Sequence, residues 1–261
     1  MIEPRKSALF NAWFAGHARG RIQKTFGRVL VRGVGLTRAL AEKGPVLVVS
    51  NHTSWWDPLV ILHASTHLLG TDGYAMMDAK NLRRLPFFGL VGAFGVDLDR
   101  PSDGAQVIRF AAKLLDRPGK LVWIFPQGAE RPITEALSFR EGAAHVARVA
   151  RRAVTVPAAI RYEFAGEERP SLYLSFGAAL PYERDASLAL AAQERAVSAE
   201  LSAIDAAISG REVPGEAFAE IHRRGPSWVG RLAEGFLAAL TRPRGLPGKA
   251  RDKGLIARRP V

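Results

Sequence analysis

The chain has 261 residues, 48% hydrophobic and 24% charged, with no cysteine and a formal net charge of +12. That length can bury a full core as one domain, and that composition excludes a disordered chain. The lack of cysteine excludes disulfides, thiolate metal sites and a cysteine nucleophile.

The positive excess sits at the ends. Residues 1–43 carry nine Lys/Arg against two acidic residues and 211–261 carry eleven against five, whereas 44–210 are nearly balanced. The chain therefore divides into a basic N-terminal segment, a near-neutral middle and a basic C-terminal segment. Basic flanks on a neutral middle predict an anionic partner surface, membrane or nucleic acid. No run reaches the roughly 18 apolar residues of a bilayer span. The N-terminus carries no signal-peptide apolar region. A protein of this kind that meets a membrane is expected to lie on it.

Taken in order, residues 8–40 read as one or two helices. Ile22, Phe26, Val29, Leu30 and Gly33 fall on one side of a helical wheel, with Arg21, Lys24, Arg28 and Arg32 on the other. That pattern is expected of an interfacial helix on anionic lipid, or of a helix packed on the domain. Upstream, Leu9, Phe10, Trp13 and Phe14 add a bulky apolar cluster with an interface-favouring tryptophan.

Val46-Leu47-Val48-Val49 reads as a buried strand. Ser50-Asn51-His52-Thr53-Ser54-Trp55-Trp56-Asp57-Pro58 stops it, and a helix follows over 58–64. A strand is predicted over 73–77, a basic helix over 80–84 and a strand over 93–98. Ser102 or Asp103 caps a helix running to Leu115. The apolar strand 121–125 ends at Pro126-Gln127-Gly128-Ala129-Glu130-Arg131, a polar turn. A helix over 139–152, strands over 154–160 and 172–176 and an Ala-rich helix over 186–209 complete the middle. Residues 226–240 form a second amphipathic candidate, and 242–261 read as a disordered basic tail. Strands alternating with helices predict an α/β fold: a mainly parallel or mixed sheet flanked by helices, with amphipathic helices at both termini.

In open α/β sheets ligands bind beyond the carboxyl ends of strands. Three predicted strands end in polar clusters: His52 and Asp57, then Asp97, Asp99 and Arg100, then Gln127, Gly128 and Arg131. Histidine takes and returns a proton near neutral pH, and a nearby aspartate can fix its tautomer. Arg100 and Arg131 are of the type that holds a phosphate or similar anion. The set suits a reaction on an alcohol carried by an anionic substrate.

In this order the blocks resemble those of the glycerolipid acyltransferases, the group that includes 1-acylglycerol-3-phosphate acyltransferases. Asn51-His52 and Asp57 look like the catalytic Asn-His-x-x-x-x-Asp block. Lys80 through Arg100 resembles the second block, closed here by Arg100. Phe125-Pro126-Gln127-Gly128-Ala129-Glu130-Arg131 resembles the third, Phe-Pro-Glu-Gly-Thr-Arg, and Val156-Pro157-Ala158-Ala159-Ile160 the fourth. The likeness spans about residues 46–161. It implies transfer of a fatty acyl group from acyl-CoA or acyl-carrier protein to a lipid hydroxyl, with His52 as general base and Asp57 orienting it. Arg100, Phe125, Pro126, Gln127, Gly128 and Arg131 would contact an acceptor such as a lysophospholipid. It implies no metal or prosthetic group, only the acyl thioester as co-substrate, and a place on the cytoplasmic face of the membrane.

The third block departs from the pattern. Gln127 stands where the family has Glu, Ala129 where it has Thr, and Arg131 falls one place late behind Glu130. Acyl transfer is therefore the firmer expectation. The acceptor is open between a lysophospholipid and another lipid or glycolipid alcohol, and an inactive lipid-binding relative is the non-enzyme alternative. A serine-hydrolase Gly-x-Ser-x-Gly elbow and a phosphate-binding P-loop are both missing. Basic charge interleaved with Trp and Phe around a neutral middle points to lipid rather than nucleic acid.

Overall fold

The computed structural model describes residues 1–97 and 101–225, with the backbone alone at 101 and 102. Arg100, the helix predicted over 226–240 and the basic tail lie outside the described residues. In chain order the elements are α1 (Ala8–Thr25), β1 (Arg28–Arg32), α2 (Val34–Lys43), β2 (Val46–Ser50), α3 (Asp57–His63), β3 (Asp72–Asp78), α4 (Ala79–Arg84), β4 (Ala93–Val96), α5 (Pro101–Leu114), β5 (Lys120–Ile124), α6 (Gly142–Val149), β6 (Val154–Glu163), β7 (Ser171–Phe176), α7 (Ala186–Ile208) and β8 (Ala219–Arg223).

The strands form one mixed sheet in the order β4-β3-β5-β2-β6-β7-β1-β8. From β4 to β6 every neighbour is parallel. The carboxyl ends of five strands therefore share one edge, where the polar clusters after β2 and β5 also fall. β6 and β7 are antiparallel, β1 runs parallel to β7, and β8 closes the edge antiparallel to β1. The expected α/β class with helices around a mixed sheet is the observed one.

β2 lies at the centre, and all five of its residues are buried. Successive side chains alternate between faces, so a continuous apolar run feeds two cores at once. Val46 and Val48 join Trp123, Val156 and Ile160 on one side. Leu47 and Val49 join Val122, Ile124, Val107 and Val146 on the other. Each such side chain stabilises the fold by about 1.5–3 kcal/mol.

The helical reading of residues 8–40 is corrected. α1 ends at Thr25, and Arg28–Arg32 is a strand inside the sheet. Ile22 and Phe26 are 1% exposed and pack into the core rather than against lipid. Gly33 permits the turn from β1 into α2. It has φ +71°, and a Cβ there would sit 2.0 Å from the carbonyl oxygen of Phe176. The exposed apolar surface of α1 lies earlier, at Leu9 and Trp13, which are 84% and 63% exposed. Among the described residues no helix is long and apolar enough to cross a membrane. The helix predicted over 139–152 is shorter, starting at Gly142 and ending at Val149. β8 has no counterpart in the sequence-based elements.

Candidate active site

β6 is longer than β2, and this mismatch builds the site. The register pairs the last residue of β2, Ser50, with Ala158, leaving Ile160 and Tyr162 beyond it. Asn51 extends the ladder with its side chain. Its Nδ2 donates to the carbonyl of Ile160, and its Oδ1 accepts from the N–H of Ile160, both at 2.9 Å. Asn51 is fully buried, so this pairing satisfies groups whose isolation would be costly. The chain then turns away at His52 and re-enters helix at Asp57.

Asp57 is 0% exposed and collects four donors. Its Oδ2 lies 2.7 Å from Nδ1 of His52 and accepts from the N–H groups of Thr53 and Ser54 at 2.8 and 3.1 Å. Its Oδ1 accepts from the hydroxyl of Tyr162 at 2.6 Å. Such a set of hydrogen bonds fixes a buried carboxylate in place. A proton on Nδ1 donated to Asp57 leaves Nε2 of His52 as the free acceptor, the tautomer a general base requires. The Tyr162 phenol is pushed well above its ordinary value by burial, then by the charge of Asp57 and its hydrogen bond, with a further contribution from Glu130.

The loop after β5 supports His52 from the other side. The Oε1 of Gln127 accepts from the backbone N–H of His52 at 2.7 Å, and the N–H of Arg131 donates to the carbonyl of His52 at 2.9 Å. The ring of Phe125 stacks on that of His52 with centroids 4.6 Å apart. Gly128 has φ +72°, and a Cβ there would lie 3.1 Å from Nε of Arg140, whose guanidinium crosses it. The N–H of Arg140 closes the loop on the carbonyl of Pro126 at 2.9 Å.

His52 faces a cavity of about 650 Å³, within the range of ligand sites. Ile61, Leu62, Phe88, Val91, Trp123 and Phe125 give it apolar walls. It extends to Ser65, whose Oγ accepts from Nε1 of Trp123 at 2.9 Å, and to Gly73. Trp55, 57% exposed, also borders it. One continuous space thus joins the imidazole to an apolar interior.

The residues anticipated from sequence fall into three groups. His52 and Asp57 are in contact, and Phe125, Pro126 and Gly128 line the cavity beside them. Gln127 is 6% exposed and holds the backbone of His52; it borders a smaller side pocket with Arg131. The Arg131 side chain is half exposed, 3.9 Å from Glu135, and is not among the residues lining the His52 cavity. Four charged residues that line it besides His52, namely Asp78, Arg84, Glu130 and Arg140, were not named as site residues from the sequence. Tyr162 was missed as well. It stands two residues past the Val156–Ile160 block on the same face of β6, and that alternation was its one signal.

A protein-family model described as Acyltransferase matches residues 31–161, half of the chain. No curated protein gave a match. Among solved structures the chain is similar to the 1-acyl-sn-glycerophosphate (LPA) acyltransferase PlsC from Thermotoga maritima. The TM-score is 0.55 at 16% identity, covering 74% of this chain and 78% of that one. At that identity the likeness is one of fold.

Proposed function

We propose a specific reaction for this chain, which belongs to the acyltransferase family: a fatty acyl group passes from acyl-CoA or acyl-carrier protein to a hydroxyl of a lysophospholipid such as 1-acylglycerol-3-phosphate. One observation carries the reading. His52, held through Nδ1 by the buried Asp57, faces a large cavity with apolar walls. The acceptor hydroxyl donates to Nε2. As its oxygen attacks the thioester carbonyl, the proton passes to the imidazole, and Asp57 stabilises the imidazolium. The C–S bond then breaks, and the leaving thiolate takes that proton. An ester and a free thiol result, with no acyl-enzyme. The apolar walls exclude water that would otherwise hydrolyse the thioester.

Arg84 and Arg140 are cations described in the cavity wall and would hold an anionic headgroup, with Arg100 of the second block as an expected partner. Glu130 in the same wall favours a second reading of the acceptor, a lipid or glycolipid alcohol without a doubly charged phosphate. Attachment to the cytoplasmic face of an anionic membrane is supported by Leu9, Trp13 and Trp55, all exposed, the last at the cavity itself. The same setting would admit acyl-carrier protein as donor. No nucleic acid or resident cofactor enters this reading.

The test is His52→Ala, assayed with acyl-CoA and acyl-carrier-protein donors against a panel of lysolipids and lipid alcohols. Loss of acyl transfer with the fold unchanged is expected. Activity near wild type would overturn the mechanism. Binding to anionic vesicles that weakens with salt is expected of the membrane reading; indifference to both neutral and anionic vesicles would count against it.

A further inference from the structure

We infer that Tyr162 is a positioning residue for the acyl transfer: its hydroxyl, 2.6 Å from Oδ1 of Asp57, locks the carboxylate that orients His52. The inference rests on His52 being the base. Three of the four donors to Asp57 come from within five residues of it, and all reach the same oxygen, Oδ2. Left with these alone, the carboxylate is anchored by one oxygen and its plane is free to swing. Tyr162 anchors the other oxygen from 105 residues away, on a sheet strand. It converts a local turn into a plane fixed to the body of the protein.

Tyr162 is itself held. Its ring stacks on Phe26 at 5.5 Å between centroids, and Phe26 meets Trp56, inside the catalytic loop, edge-on at 5.2 Å. A strand, the segment before β1 and the loop thus clamp one phenol. With burial holding the hydroxyl protonated, Tyr162 is a donor throughout the working pH range. Tyr162 is not among the residues lining the cavity, so it reaches the chemistry only through Asp57.

The decisive variant is Tyr162→Phe. It should lower kcat by about tenfold or more, the loss expected for one charge-assisted hydrogen bond, while KM for donor and acceptor stays within about twofold. In a double-mutant cycle with Asp57→Asn, Tyr162→Phe should cost almost nothing further. Additive losses, or a loss carried by KM, would overturn the inference. A second readout needs no substrate: the Nδ1 proton of His52 in the NMR spectrum should broaden or move in Tyr162→Phe. An unchanged resonance would overturn the link even if acyl transfer is never detected, which separates this inference from the activity it rests on. Should Tyr162→Phe fold poorly, fluorotyrosine at position 162 keeps ring and hydroxyl and changes donor strength. It should change kcat by more than about twofold at an unchanged melting temperature, and an unchanged kcat would count against the role.

Discussion

The two loops that meet at His52 are built on opposite plans. In the loop after β2, Asn51 is buried, Asp57 is saturated with donors, and the sheet itself supplies two of the contacts. In the loop after β5, Gln127 and the backbone are tied down, but Glu130, Arg131 and Arg140 are exposed. Neither Glu130 nor Arg140 has an ion-pair partner among the described residues. Proton handling needs one geometry held tightly, whereas recognition needs charges left free for a ligand. The first loop is suited to chemistry and the second to selection, joined through Gln127 and His52.

The contrast breaks most severely at Asp57. Asp57→Asn presents a buried amide to four donors, and the His52 tautomer is no longer fixed. A fall of about 10²–10⁴ in kcat is expected with KM nearly unchanged, checked by steady-state assay. A small loss would mean that the first loop is not the chemical one. Arg140→Ala should act the other way, raising KM for an anionic acceptor by about tenfold at nearly constant kcat. Arg131→Ala, beside Glu135 and away from the cavity, should change either constant by less than about twofold. The reverse ranking would assign recognition to Arg131.

A second histidine, outside both loops, sets a baseline. His63, at the end of α3, is 8% exposed with no partner for Nδ1. Burial, then the neighbouring His67 and Arg19, pull it down to about 4 from 6.5. The unfolded chain therefore binds the proton first. The stability linked to a neutral His63 is full above 6.5 and is lost as pH falls toward 4. Between pH 7.5 and pH 5 the loss is about 2 kcal/mol. Denaturant unfolding at the two pH values should show it in the wild type and much less of it in His63→Leu. An equal loss in both would place the acid sensitivity elsewhere.

Much of this was legible in the sequence because the central strands carry unambiguous signals. The Val46–Ser50 run, the apolar 121–125 run and the polar stops after them fixed both the sheet and the edge where His52 lies. β1 was not legible as a strand. Val29, Leu30 and Val31 make a five-residue segment with two arginines, too short to separate a period of two from a helical period, and Ile22 and Phe26 extended the helical pattern across it. Gly27 and Gly33, which bound β1, were the signal against a helix. β8 is an edge strand, mostly exposed and polar, with no apolar alternation to read. The cation of the third block was hard to place for a different reason. Motif spacing suggests Arg131 for the cation role, whereas its side chain lies beside Glu135, and Arg140, nine residues later in the chain, is the one that lines the cavity.

The unequal lengths of β2 and β6 carry a last consequence, for how this protein can change. Asn51 must reach Ile160 and Asp57 must reach Tyr162, two residues apart on one strand, so the catalytic loop is measured against a fixed ruler. Inserting or deleting one residue between 51 and 57 would forfeit one attachment or the other. Between its ties at Arg131 and Phe139 the loop after β5 shows, among the described residues, no hydrogen bond to a strand. Length variation during adaptation to a new acceptor is therefore open to the selecting loop and closed to the reacting one.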